Sequence, residues 1–108
     1  MAIDIGVIFK DALHAGLSAA KPGGKAAEDW IRESAKANEK SLKAIAQGML
    51  TQQISNETGA MLLRESGRAL ESEAAALAAI LKASAQAAVN AFIGSLVSAL
   101  SAALKVAL

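Results

Sequence analysis

Every fourth residue of this chain is alanine, 27 of 108, and this sets most of what the chain can fold into. Alanine is the strongest helix former because it loses no side-chain entropy in a helix. It is also a weak core residue, since a methyl group removes little apolar area from water. Such a chain forms helices readily and fills a private core poorly. Two phenylalanines and one tryptophan are its only aromatic anchors. The expectation is close helix–helix contact through small side chains, with the remaining apolar surface buried between copies. The fold class that follows is all-α: an elongated helical bundle or hairpin with a short N-terminal helix, a second helix and a long alanine-rich C-terminal helix, assembled as a homo-oligomer.

The rest of the composition excludes several functions. There is no cysteine, hence no disulfide framework and no thiolate-ligated metal. His14 is the single histidine, so one chain offers no second nitrogen or sulfur ligand for zinc. No Glu-x-x-His pair of the di-iron bundle type occurs. Glu71 and Glu73 are two apart and Glu28 and Asp29 adjacent, so neither pair shares a helix face. Lys21-Pro22-Gly23-Gly24-Lys25 lacks the glycine and the Ser/Thr of a phosphate-binding loop. No catalytic, cofactor-binding or metal residues are assigned, and the chain is expected to be non-enzymatic. The net charge is +1. Lys36, Lys40 and Lys43 are interleaved with Glu33 and Glu39 without an aromatic platform, so no nucleic-acid partner is expected.

Read along its length, the chain is one helical domain, 1–108. Residues 1–20 form an amphipathic helix: Asp4 is placed to cap it, and Ile5, Ile8, Phe9, Ala12, Leu13, Gly16, Leu17 and Ala20 recur at threes and fours. Asp4, Lys10 and Asp11 rule out a secretory signal, which implies cytoplasmic synthesis, with later incorporation into a virion or membrane left open. Proline and two glycines make residues 21–25 a turn. Residues 26–50 are a second helix with Ile31, Ala35, Asn38, Leu42, Ile45 and Met49 on a heptad seam. Asn38 either sets register there or sits at the rim. Glu28/Arg32 and Glu39/Lys43 are spaced as ion pairs. The polar stretch 51–59 is a hinge, either a hairpin turn or a bend, with a helix cap near Ser55 or Asn56. From 57 to 106 the pattern is helical without a proline, with Met61, Leu62, Ala69, Leu70, Leu77, Ile80 and Leu81 as its early apolar face. At 1.5 Å per residue such a helix would run roughly 75 Å. Gly67 is its weak point.

The C-terminal part is the most informative. Residues 1–73 carry nine basic and ten acidic residues, whereas Lys82 and Lys105 are the only charges beyond them. No charge occurs from 83 to 104, a length that matches the hydrocarbon thickness of a bilayer. Lys82, Gln86, Asn90, Gly94, Ser98, Ser101 and Lys105 fall on one narrow line of a helix. Val89, Phe92, Ile93, Leu96, Val97, Leu100 and Leu104 lie opposite as an apolar packing face. The line has three physical readings: the exposed sliver of a soluble bundle, the lining of an oligomer axis or lumen, or a small-residue face for close packing in membrane.

In composition the chain resembles small alanine-rich helical components of phage virions and injection machines, a similarity that rests on no alignable motif. The expected role is a self-assembling structural component whose C-terminal helices pack around a common axis or conduit. Its partners would be itself and other proteins of a larger assembly, with the first helix docking on a partner or a membrane surface. The alternatives are a holin-like or toxin-like protein inserting residues 83–108 into membrane, and a soluble helical adaptor.

Overall fold

The computed structural model describes residues 3–108, leaving Met1 and Ala2 of the expected first helix outside the described part. Four helices account for nearly all of it: α1 (Ile5–Ala20), α2 (Gly24–Leu50), α3 (Asn56–Ala75) and α4 (Ala79–Leu104). No strand occurs among the described residues.

The starts and stops have local causes. The Asp4 carboxylate accepts from the backbone N–H of Gly6 at 2.8 Å and of Val7 at 3.3 Å, satisfying two donors that the first turn leaves unpaired. Lys21–Gly23 is a single 3-10 turn with Pro22 inside it, and Gly24, at φ 76, turns the chain into α2. That helix therefore begins two residues before the position 26 expected from its pattern. Its C-terminus closes through Gln53 N and Ile54 N, both bonded to Gly48 O, with Gln52 left-handed at φ 62. Ser55 then caps α3 by accepting from Thr58 N at 3.0 Å. The hinge is thus a tight connection, 51–55, and residues 56–59 belong to the next helix.

The largest departure from expectation is the long C-terminal helix. It does not exist as one piece. The chain leaves α3 at Ala76, takes an extended conformation at Ala78 (φ −54, ψ 145) and restarts as α4 at Ala79. No proline or glycine marks the break, and local propensity is helical throughout. What breaks it is burial. Folding back places Val89, Phe92, Leu96 and Leu100 in the core, each contributing roughly 1.5–3 kcal/mol. A continuous rod would leave them in water. The molecule accordingly measures 41 × 24 × 22 Å rather than a 75 Å rod.

The helices run up, down, up, down. Phe9 meets Phe92 while Gly16 meets Ala88 and Phe92, and Gly23 meets Ser84, so α1 and α4 are antiparallel. Gly16 also faces Ile31 of α2, Gly59 of α3 faces Met49 of α2, and Gly67 of α3 faces Ile93 of α4. Helix α4 touches all three others, whereas α1 and α3 do not meet. Helix α2 likewise touches all three others, and α4 can hold such a position because its one charge, Lys82, lies in its first turn.

Small residues set the spacing. A Cβ added at Gly16 would lie 3.2 Å from Phe92 Cβ and 3.3 Å from Ile31 Cγ1, and one at Gly67 would lie 3.3 Å from Ile93 Cγ1. Gly67 is therefore a contact point between α3 and α4 and not simply a weak spot in a helix. The α3 face also differs from the expected one. Gly59, Ala60, Leu63, Gly67, Leu70 and Ala74 are buried, while Met61 and Ala69 are exposed and Leu62 is half-buried. Of the expected surface pairs, Glu39–Lys43 forms, but Arg32 pairs with Asp29 at 3.2 Å instead of Glu28.

Candidate functional site

The second-helix seam is inside this fold. Ile31, Leu42 and Met49 are buried and Ile45 is half-buried against them. Asn38 is half-buried and donates from Nδ2 to Ser34 O of its own helix at 2.8 Å. One of its amide N–H groups is thus paired within its own helix. The seam packs against α1, α3 and α4 and leaves no separate coiled-coil surface.

On α4 the two expected faces separate cleanly. Val89, Phe92, Ile93, Leu96 and Leu100 are buried, and Val97 and Leu104 are half-buried. This apolar face is covered within one chain. On the opposite side Asn90, Gly94, Ser98 and Lys105 are exposed and Gln86 and Ser101 are half-buried. Ala83 and Ala87 are exposed beside them, so between Lys82 and Lys105 the outer face of α4 is uncharged and built of alanine, glycine, serine and amide side chains. Ser101 Oγ donates to Val106 O, folding the tail back over the end of the helix, where Lys105 takes a left-handed conformation at φ 56.

Gly94 stands apart from the other helical glycines except Gly24, whose positive φ of 76 accounts for it. A Cβ there would meet no heavy atom within 4 Å. Gly16, Gly59 and Gly67 are required by a neighbour in the same chain, but Gly94 is not. Glycine in a helix interior costs about 1 kcal/mol relative to alanine.

The apolar stripe of α1 faces largely inward, with Val7 exposed beside it. Phe9, Ala12, Gly16 and Ala20 are buried against the rest of the bundle. His14 is exposed on the opposite side.

The concave surface offers little for chemistry. A cleft of about 390 Å³ lies between the start of α3 and the tail, lined by Asn56, Glu57, Ala60, Arg64 and Val106 to Leu108. Arg64 donates to Leu108 O across it at 2.7 Å. Glu57 and Arg64 are its only ionisable side chains. A second cleft, about 260 Å³, lies between α3 and α4 at Gly67, Asn90 and Ile93. Neither brings a nucleophile together with a base. Among the described residues no three His, Asp or Glu side chains are grouped to hold a metal ion.

No protein-family model matches the chain, and neither a curated protein nor a solved structure matches it.

Proposed function

We propose that this protein is a non-enzymatic structural module that assembles with copies of itself through the outer face of α4, as a small helical component of a virion or injection-type machine would. Gly94 carries this reading. It sits mid-helix on an exposed face of alanine, serine and amide side chains, and nothing in its own chain calls for a glycine. A second helix approaching closely would, because backbones come together where side chains are smallest. Asn90 and Ser98 then supply hydrogen bonds across the contact, and Lys82 and Lys105 bracket it. Helices from several copies meeting on this face would form the common axis.

The mass in solution tests the reading. Light scattering after size exclusion should give a multiple of the 10.9 kDa chain, and Gly94→Glu with Ser98→Glu should return it to the single-chain mass with helix content unchanged. Wild-type protein that stays at the single-chain mass as concentration rises overturns the proposal and leaves a helical adaptor that binds other proteins.

One observation favours a second reading, insertion of residues 83–108 into membrane. Helix α4 is long and apolar enough to cross a bilayer by length and composition. The fold weighs against it, since α4 would have to abandon its contacts with all three other helices and expose the faces they pack against it. Release of a trapped dye from vesicles, with loss of the compact fold, would establish that reading instead.

A further inference from the structure

At the end of the bundle opposite the hinge, the α3–α4 connection is apolar where a loop is normally polar. From Ala74 to Leu81 the chain is Ala-Ala-Ala-Leu-Ala-Ala-Ile-Leu, eight apolar residues in a row. Ala75, Ala76, Ala78, Ala79 and Ile80 of these are exposed. Ile80 is 83% exposed, the most exposed large apolar side chain among the described residues.

The other connection at this end is basic. Lys21 and Lys25 flank the Pro22-Gly23-Gly24 corner, and both are exposed. The two connections adjoin, because a Cβ on Gly23 would lie 2.6 Å from Ser84 Cβ, and Ser84 is one turn after Ile80 on the same side of α4. Lys82, also exposed, lies on the other flank. The nearest acids along the chain are Glu28, one turn into α2, and Glu73, in the last turn of α3. Ile80 is therefore an exposed apolar side chain at the end of the bundle, where the exposed cations of the two connections are Lys21, Lys25 and Lys82.

We propose that this tip docks peripherally on an anionic lipid surface, with Ile80 entering the headgroup–acyl boundary and Lys21, Lys25 and Lys82 meeting the lipid phosphates. The composition of this end favours lipid over a folded partner. A stable protein interface needs roughly 800 Å² from each side and is depleted of lysine at its core. One large exposed apolar side chain among lysines fits neither requirement. A bilayer surface accepts a protrusion of any outline and attracts lysines on flexible stems. This contact is distinct from spanning: α4 stays in the bundle, and no dye is released.

The test is co-sedimentation of the full chain with vesicles of phosphatidylglycerol and phosphatidylcholine, against phosphatidylcholine alone. Binding should require the anionic lipid and weaken with salt. Reversing Lys21, Lys25 and Lys82 to glutamate should weaken it at least a hundredfold, at about fivefold per lysine removed. Ile80→Ser should weaken it about tenfold while leaving solution mass and helix content unchanged. The charge-matched control Lys10→Glu, Lys36→Glu and Lys40→Glu, at exposed positions on α1 and α2 away from this end, should bind nearly as wild type. Absence of binding to anionic vesicles overturns the proposal, as does equal loss in the control. Equal binding to neutral vesicles with dye release assigns membrane affinity to α4 insertion instead. A drop in oligomer mass on Ile80→Ser places Ile80 in a self-association face and also overturns it.

Discussion

The ring of Phe9 on α1 meets that of Phe92 on α4 edge to face, with centroids 5.5 Å apart and planes at 87°. Lys43 of α2 lies 5.4 Å from the Phe9 centroid, so three helices converge here. Phe92 is fully buried, and Phe92→Ala should cost about 3–5 kcal/mol, a large part of the 5–15 kcal/mol typical of a small domain. A double-mutant cycle with Phe9→Leu and Phe92→Leu, followed by chemical denaturation, should return a coupling of about 0.5–1.5 kcal/mol. Additive effects would mean that the rings only share a core.

Two glycines should respond in opposite directions to the same substitution. Gly16→Ala forces a methyl against Phe92, Ile31 and the Ala88 carbonyl, and should destabilise by about 1–3 kcal/mol. Gly94→Ala meets open space, and should stabilise the single chain by up to about 1 kcal/mol. For a domain of this size that is a melting-point rise of about 4–8 °C. If α4 mediates assembly, Gly94→Ala should also shift light-scattering mass towards the single chain, so stability rises as association falls.

The break between α3 and α4 can be probed with proline. Ala79 is the first residue of α4 and Ala78 before it is already extended, which suits the geometry required ahead of proline. Ala79→Pro should be neutral or stabilising by about 0.4–1 kcal/mol. In an uninterrupted helix the same change would cost about 3 kcal/mol. Thermal unfolding by circular dichroism decides between them.

That break shows where sequence reasoning stops. Pro22, Gly23 and Gly24 announce a turn because their backbones allow little else, and Asp4 and Ser55 announce helix starts through their side-chain oxygens. Residues 76–78 announce nothing: alanine and leucine favour helix, and only tertiary burial of Phe92 and its neighbours makes the chain reverse. The same applies to α3. Its large residues Met61 and Leu62 suggested a face, but the buried line runs through Gly59, Leu63, Gly67, Leu70 and Ala74. The spacing of four, four, three and four was visible; small residues simply score low as hydrophobic. On α4 the polar line and its apolar opposite were both readable, because neutral small residues against Val, Ile, Leu and Phe give contrast. What lay beyond the sequence was that a single chain could cover the apolar side.

The cap of α3 offers a simpler check. Ser55 accepts from Thr58 N and donates from its hydroxyl to Thr58 Oγ1 at 2.9 Å. Ser55→Ala should cost about 0.5–2 kcal/mol. Hydrogen exchange should show faster opening of the first turn of α3, next to the 51–55 connection, with α1 unaffected. A uniform loss across all four helices would mean that this connection opens only with the whole fold.

Helix α1 docks chiefly on α4, the segment furthest from it in the chain. On a ribosome, α1 must therefore wait with the α4-facing sides of Phe9 and Gly16 uncovered until α4 has emerged. Local helices form within microseconds, but closure depends on α4. Nascent chains stalled before α4 should be the form that chaperones hold and proteases remove.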